Sequence, residues 1–298
     1  MLQRSETHYE GFDCIKLENE EIALWATTST GPRLLGLEAY GNENLLAVLP
    51  DATIEIPNQD TFYLRGGHRL WYAPEKPETT YIQDNHAVAV KEIEKGVELI
   101  QVVDQLTGVR KSLKIELDDI KAEVKIAHTL TNQGENLIEL APWAITQLRP
   151  GGVGIFPQQT SLADEHGLLP NRHIVLWPYT KMNSPHIHWG DDAVFIEANM
   201  TEGALKIGFP NPAGWMAYTF QGALLVKLAK YDPKANYLDR QSSSQSYCCP
   251  TFIELETLGP YVTLNPGQSV VHEEIWVVYP VGEWPEDVAL LYDKIQYA

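Results

Sequence analysis

The chain is poor in cysteine and in basic residues, and each shortage excludes a class of protein. Three cysteines, Cys14, Cys248 and Cys249, are too few for a disulfide framework and form no CxxC pair for zinc. We therefore expect reduced, packed thiols in a cytoplasmic protein. Only 22 Lys and Arg stand against 40 Asp and Glu, and the net charge of −18 makes nucleic acid or an anionic membrane a poor partner.

Long apolar runs and the common catalytic motifs are missing as well. No run reaches the roughly 18 residues of a membrane span, and the first residues lack the apolar segment of a secretion signal. There is no GxSxG, no HExxH, no Walker loop and no GxGxxG after a strand. Gly151-Gly152-Val153-Gly154 predicts a β turn, because no helical pattern follows it to bind a phosphate. We expect neither a cofactor nor a bound metal ion.

Short runs of alternating apolar and polar residues dominate the chain, and they predict β-strands. Their spacing, and the Gly, Pro, Asn and Asp between them, favour an all-β sandwich or barrel. One helix is predicted over Pro285–Ile295, and residues 1–298 are expected to form a single domain. The predicted strands are two within Cys14–Trp25, then Arg33–Tyr40, Ala87–Glu94, Val97–Val103, Val109–Leu117, Lys121–Leu130, Leu137–Leu148, Ile174–Trp177, Ala193–Ala198, Leu205–Phe209, Trp215–Phe220, Ala223–Leu228, Cys248–Leu258 and Val270–Tyr279.

The stretch Thr61–Glu75 mixes cationic and aromatic side chains in an unusual way. A core strand would not bury unpaired cations, and a plain surface loop would carry fewer rings. Ring faces beside fixed donors are what a sugar needs, and the Gly-Gly pair lets the backbone approach a ligand or turn sharply. The alternative is a strand end whose arginines pair with structural carboxylates. The candidate sugar contacts here are Arg65, His68, Arg69 and Trp71.

Glu254 and Glu256 lie in the late stretch Thr251–Pro260. On a strand both would point to one face, with Ile253 and Leu255 on the other. Two carboxylates on one face of an apolar strand need water, cations or a ligand. A solvated outer face is the alternative, although the flanking residues are apolar or aromatic.

Two further polar positions are candidates for ligand contact. Asp239 lies with Arg240 in a polar loop before that strand, and loops at sheet ends often carry binding groups, although an ordinary solvated loop fits equally. His186 and His188 have the spacing that puts both imidazoles on one face of a strand. That spacing is compatible with metal ligation, with sugar contact or with a structural role, and His188 is retained as a sugar-contact candidate.

Four stretches resemble the galactose-mutarotase-like superfamily, and most closely a domain-of-unknown-function branch of it. They are Gly31–Leu46, Leu64–Glu75, Thr129–Gly152 and Phe252–Trp276, and their order and spacing agree with the superfamily. The resemblance implies a β supersandwich of mainly antiparallel strands with a carbohydrate cleft on one face. A small carbohydrate is accordingly the expected partner.

The resemblance also implies a reaction. In the superfamily a glutamate in a Leu-Glu-Thr setting removes the proton of the anomeric hydroxyl, and a histidine protonates the ring oxygen. The ring opens, rotates about C1–C2 and closes again. Glu256 matches the base, Arg65 matches the sugar-binding arginine, and His68 is the second catalytic candidate from the same Gly-Gly segment. The strand that carries the superfamily's acid here reads Pro142–Thr146 and has no histidine.

Three functions therefore remain open. The first is a carbohydrate-binding protein that acts as an aldose 1-epimerase-like isomerase at the anomeric centre. The second, motivated by the missing histidine, is a non-catalytic sugar-binding module. The third is a metal-dependent enzyme of the cupin β-barrel type that uses His186, His188 and His272.

Overall fold

Almost all regular structure among the described residues is β-strand, as the alternation of the sequence predicts. The computed structural model describes residues 1–57 and 61–280, so the predicted helix Pro285–Ile295 lies outside the described residues. The two helical segments within these ranges are α1 (Pro77–Thr80) and α2 (Leu238–Gln241). Neither these nor any other helix in the described ranges is long and apolar enough to cross a membrane.

The strands fall into an N-terminal and a C-terminal series. The first series is β1 (Gln3–Tyr9), β2 (Phe12–Glu18), β3 (Ile22–Thr27), β4 (Arg33–Ala39), β5 (Val48–Ile54), β6 (Phe62–Gly66), β7 (His68–Ala73), β8 (Ala89–Ile93), β9 (Gly96–Ile100), β10 (Val109–Leu117), β11 (Glu123–Asn132) and β12 (Ile138–Leu148). The second series is β13 (Val153–Pro157), β14 (Val175–Leu176), β15 (Ile187–Trp189), β16 (Ala193–Glu197), β17 (Leu205–Phe209), β18 (Trp215–Phe220), β19 (Ala223–Ala229), β20 (Ser244–Cys248), β21 (Ile253–Leu258), β22 (Val262–Leu264) and β23 (Ser269–Pro280).

The predicted strands match the structure where the alternation is long. β10, β17 and β18 have the predicted bounds, and the two predicted hairpins, β8–β9 and β10–β11, both form. The prediction of one strand over Cys248–Leu258 is wrong. The chain turns at Pro250 and separates β20 from β21, because proline has no N–H for a ladder hydrogen bond.

Two large antiparallel sheets carry the fold. The first sheet has the order β1-β2-β3-β4-β7-β12-β21-β20-β17-β14, and β22 pairs with the start of β12. The second sheet has the order β15-β16-β13-β18-β19-β23-β11-β10-β9-β8, and β5 and β6 form a separate ribbon. The pairings that build both sheets are antiparallel. The predicted all-β, mainly antiparallel architecture is confirmed.

The main hydrophobic core lies between the two sheets. It takes Leu70 and Leu255 from the first sheet and Trp276 from the second. Because successive side chains of a strand point to opposite faces, the intervening residues of the first sheet point away from this core. A second apolar cluster, which includes Trp71 and Trp143, covers that outer face. The three predicted thiols are free and buried, as expected.

Gly66 and Gly67 form the turn that sets the faces of β7. Both have positive φ, 82° and 72°. A Cβ at Gly66 would lie 2.0 Å from the carbonyl oxygen of Ala47, and one at Gly67 would lie 2.0 Å from that of Leu34. Both positions therefore need glycine for conformation and for space. At both glycines the backbone lies against a neighbouring strand. Of the two roles considered for the Gly-Gly pair, it therefore has that of a sharp turn.

Candidate functional site

A partly open cavity of about 320 Å³ lies on the outer face of the first sheet. Its floor comes from β7, β12 and β21, which are neighbours in the sheet. Alternation along these strands brings Arg69, Trp71, Gln147 and Glu254 to the same face. A cavity of this size with a few convergent polar groups is typical of a small-molecule site.

Aromatic side chains form much of the cavity wall. Trp71 packs edge to face against Trp143 and Tyr81, with ring centroids 5.5 Å and 5.3 Å away. Tyr247 and Phe252 form a further pair at 5.6 Å. All five rings line the cavity, and each is held by its neighbours. The wall is therefore a fixed apolar surface with room for a flat or ring-shaped ligand.

The Arg69 guanidinium is fixed at the cavity floor. Its Nη1 donates to Gln147 Oε1 at 2.9 Å, its Nη2 lies 3.6 Å from Glu254 Oε1, and it lies 4.1 Å from the Trp71 ring centroid. Burial lowers the pKa of Arg69 to about 10, so the side chain stays a cation at neutral pH. Its Nε is buried and has no hydrogen-bond partner among the described residues.

Glu254 has the properties of a group that exchanges a proton near neutral pH. Its Oε1 accepts a hydrogen bond from Gln147 Nε2 at 2.8 Å. Burial, and then the charge of Glu256, raise the pKa of Glu254 to about 8, although Arg69 and Lys206 oppose the shift. A carboxyl group with such a pKa suits general acid–base catalysis.

Glu256 lies behind the cavity wall. It is fully buried, and its Oε2 accepts hydrogen bonds from Trp143 Nε1 at 2.7 Å and from Lys206 Nζ at 2.8 Å. Both donors line the cavity, and the Lys206 ammonium lies 4.8 Å from the Trp143 ring centroid and 4.9 Å from that of Trp177. Glu256 therefore acts on the cavity by holding Lys206 and Trp143 in place.

Arg65 lies outside the cavity, because alternation along β6 brings Leu64 to it instead. Arg65 Nη1 donates to Asp84 Oδ1 at 2.7 Å, and Arg33 Nη2 donates to Asp84 Oδ2 at 2.8 Å. Burial alone would raise the pKa of Asp84, but the two guanidinium groups hold it below its usual value. Arg65 is therefore paired with a structural carboxylate, as the alternative interpretation of the stretch Thr61–Glu75 describes.

His68 points to the opposite face of β7, into the core between the sheets. It is fully buried, with Nδ1 2.9 Å from Thr146 Oγ1 and Nε2 2.7 Å from Nε2 of His128. Burial lowers the pKa of His68 well below its usual value, although Glu274 opposes the shift. The structure does not bring His68 to the cavity.

His68, His128 and Glu274 form a group whose ligand atoms lie within 4.8 Å of one another, as a metal ion would require. Their hydrogen bonds instead fit a network in which the histidine ring nitrogens are all paired. If His128 Nδ1 donates to the carbonyl of His272 at 2.9 Å, then His128 Nε2 accepts from His68 Nε2, and His68 Nδ1 accepts from Thr146. Each ring is then neutral and fully paired, and no ring nitrogen keeps a lone pair for a metal ion.

The Glu274 carboxylate is also fully engaged. Trp276 Nε1 donates to Oε2 at 2.7 Å, while Thr257 Oγ1 donates to Oε1 at 2.5 Å and Lys227 Nζ lies 3.1 Å from it. Lys227 in turn donates to Thr146 Oγ1 at 2.7 Å, which joins the carboxylate to the histidines. This network ties β7, β12 and β21 of the first sheet to β11, β19 and β23 of the second.

The histidines of the metal-enzyme interpretation are not brought together. His272 belongs to the buried network, whereas His186 and His188 lie at β15, on the edge of the second sheet. There His186 Nδ1 lies 2.7 Å from Asn199 Oδ1, and His188 Nε2 lies 2.8 Å from Glu197 Oε1. His188 does not line the cavity on the first sheet.

Asp239 also lies away from the cavity lining. It is exposed, has a left-handed φ of 49°, and accepts a hydrogen bond from Gln245 Nε2 at 2.7 Å. Gln245 pairs across the ladder with Glu256, so Asp239 reaches the site only through two intervening side chains. The structure thus gathers Arg69, Trp71 and Glu254 in one cavity, places Glu256 directly behind it, and leaves the other four predicted positions elsewhere.

Several cavity residues were not predicted as candidates, and the sequence did hold a signal for some. Lys206 is the only charged residue of the apolar run Leu205–Phe209, which is the same anomaly that singled out the two glutamates. Gln147 is likewise a polar residue within an apolar strand. Tyr179 comes from a loop, and nothing in its local sequence distinguishes it.

The fold is shared with solved structures of very different sequence. A TPR-domain containing protein from Parabacteroides distasonis superposes with a TM-score of 0.60 and 15% identity over 93% of this chain. This chain spans about half, 49%, of that protein's length. A galactose mutarotase-like protein from Lactobacillus casei superposes with a TM-score of 0.54 and 10% identity, over 89% of this chain and 100% of the other.

No protein-family model and no curated protein matches the chain. At identities of 10–15% the likeness to solved structures shows the fold alone. The protein has the galactose mutarotase-like fold, and the resemblance inferred from the sequence is confirmed at that level.

Proposed function

We propose that the protein binds a small carbohydrate in this cavity and acts on its anomeric centre as an aldose 1-epimerase-like isomerase. The observation that carries the proposal is the meeting of Arg69, Trp71 and Glu254 in one cavity, in a fold shared with a galactose mutarotase-like protein. Fixed ring faces pack against the C–H surface of a sugar, and buried charged groups read its hydroxyls through strong hydrogen bonds.

The charges of the site favour an uncharged sugar. Two cations, Arg69 and Lys206, are each paired with an acid, the first with Glu254 and the second with Glu256. When Glu254 is ionised, as the reaction proposed below requires, a phosphorylated ligand would bring two or more negative charges beside two carboxylates and would find both cations already engaged. Hydroxyl groups can instead use the remaining lone pairs of Glu254, which lines the cavity.

Glu254 is our candidate for the base and Lys206 for the acid. The Glu254 carboxylate takes the proton of the anomeric hydroxyl, and the Lys206 ammonium gives a proton to the ring oxygen as its bond to C1 breaks. After rotation about C1–C2, the reverse transfers close the ring and restore both groups. This differs from the sequence prediction, in which the resemblance implies Glu256 as the base and His68 is the second catalytic candidate, because neither of them lines the cavity.

Anomer exchange measured by NMR across a panel of monosaccharides tests this proposal. We expect Glu254→Gln to lower the exchange rate by about a hundred- to ten-thousand-fold, the usual effect of losing a general acid–base group. The exposed Glu135→Gln is the matched control and should exchange as the wild type does. Because the carboxylate is the base, the wild-type rate should rise as the pH passes through about 8. Unchanged exchange in Glu254→Gln would remove that residue from the mechanism.

A non-catalytic sugar-binding module is the second candidate, and the composition of β12 favours it. The residues of that strand that line the cavity are Trp143, Ile145 and Gln147, and none is an acid or a histidine. Calorimetry that finds saccharide binding without anomer exchange would select this candidate. In either case Trp71→Ala should weaken binding about tenfold through the lost ring face. If the wild type binds no saccharide, both candidates fail.

A further inference from the structure

A second cavity of about 580 Å³ adjoins the first and shares two wall residues with it, Tyr179 and Ala204. The two cavities meet at the start of β17, where Leu205 lines the second and the next residue, Lys206, lines the first. The two cavities are therefore immediate neighbours, separated only by these shared wall residues.

The boundary between the cavities is built firmly. Thr180 Oγ1 donates to the carbonyl of Lys206 at 2.8 Å and accepts from the Lys206 N–H at 2.7 Å. This reciprocal pair fastens the loop that carries Tyr179 to β17. The Tyr179 ring also packs edge to face against Tyr247, with centroids 6.2 Å apart. Tyr179 is 47% exposed, so its ring remains accessible beside both cavities.

The second cavity is also lined by polar groups suited to hydroxyls. They are Lys181, Ser184, His186, Thr201 and Glu202. The loop on one side is held by the turn bond from the Ser184 N–H to the Lys181 carbonyl at 3.1 Å. On the other side, the contact of His186 with Asn199 at 2.7 Å joins the two loops that form the walls. This cavity therefore offers donors, acceptors and one exposed ring.

We propose that the second cavity is a subsite for the second unit of a reducing oligosaccharide whose reducing-end sugar occupies the first. The inference rests on the proposed function, in which the reaction takes place at the anomeric centre in the first cavity. The sugar in that cavity must therefore be the reducing end, with its anomeric hydroxyl free. It makes the substrate a chain of at least two sugars, and the half-exposed Tyr179 ring packs against the linked unit. The ligand class is an uncharged reducing di- or oligosaccharide.

Calorimetry with reducing disaccharides and their constituent monosaccharides, on the full chain, tests the subsite. Some disaccharide should bind wild-type protein at least about tenfold more tightly than its own monosaccharides. Thr201→Trp, which fills the second cavity, should remove that difference and leave monosaccharide affinity unchanged. His186→Ala is a milder second variant and should reduce the difference in affinity between the disaccharide and its monosaccharides. Val102→Trp, an equally exposed position outside both cavities, should change neither affinity.

The outcomes separate the subsite from the proposed function. Monosaccharide binding with no gain for any disaccharide would overturn the subsite and leave the proposed function standing. A gain that persists in both Thr201→Trp and His186→Ala would place the second unit elsewhere and overturn the subsite as well. Failure of the wild type to bind any saccharide would overturn both.

Discussion

Lys206 shows how a single buried charge can organise a site. It lies beside two tryptophan rings, Trp143 and Trp177, and its ammonium group faces a carboxylate that has no contact with solvent. Glu256 would otherwise be a lone buried charge, which is strongly unfavourable. The pair therefore fixes both side chains, and through the Trp143 indole N–H it also fixes part of the aromatic wall.

Removing the cation alone should be costly. We expect Lys206→Met, which replaces the cation with an unbranched apolar side chain one atom shorter, to lower the free energy of unfolding by about 3–5 kcal/mol, because it strands the Glu256 carboxylate. The double variant Lys206→Met with Glu256→Gln should recover much of that loss. Urea unfolding at pH 7 measures both values. Equal losses in the single and double variants would show that the two side chains are not coupled.

At the scale of the element, β7 decides which predicted residues reach the site. The sequence indicated a cationic, aromatic stretch, but it did not assign faces within it. The Gly66-Gly67 turn sets the register, so Arg69 and Trp71 point to the cavity while His68 points into the core. Alternation within the strand was readable from the sequence. Which of its two faces is the outer one depends on the position of the second sheet, and that position could not be read from the sequence.

The same limit applies to the strand that holds the acids. Alternation correctly placed Glu254 opposite Ile253 and Leu255, which lie in the core. It could not rank Glu254 against Glu256, because they share a face and differ only in what covers them. Lys206 and Trp143 cover Glu256, and both come from strands distant in sequence. Motif resemblance selected Glu256, whereas the geometry gives Glu254 the contact with the cavity.

Gly67→Ala tests the role of the turn at this scale. Gly203 has the same φ of 72° but open space around its Cα, so Gly203→Ala is the matched control. Left-handed backbone alone costs a non-glycine residue about 1–2 kcal/mol, and we expect Gly203→Ala to lose about that much. Gly67→Ala should lose distinctly more, because its Cβ would meet the Leu34 carbonyl oxygen at 2.0 Å. Equal losses, by urea unfolding, would show that β7 can shift to make room.

At the scale of the whole molecule, the two sheets are joined by a polar network as well as by apolar packing. His68, His128 and His272 are buried with Glu274 and Lys227 between the sheets. Strand prediction from sequence found β11 and β23, which carry four of the network's residues in alternating register. It gave no sign that His128 of β11 meets His68 of β7 across the core, because that contact depends on how the sheets stack.

This network predicts that acid weakens the fold. Burial lowers the pKa of His68, His128 and His272 below the value of about 6.5 expected in the unfolded chain. The unfolded chain therefore binds more protons at these sites below about pH 6.5, and stability falls as the pH falls. Glu254 acts in the opposite direction, since its raised pKa makes the folded protein hold a proton that the unfolded chain has released above about pH 5.

Between about pH 5 and 6, the three histidines take up protons on unfolding while Glu254 releases one. Three groups that take up protons outweigh one that releases a proton, so the free energy of unfolding should fall as the pH falls through this range. Urea unfolding at several pH values measures this slope. His128→Phe should make this slope shallower, because one proton-binding site of the unfolded chain is lost, whereas the exposed His166→Gln should leave it unchanged. A slope that is unchanged in His128→Phe would mean that His128 does not contribute to the acid response.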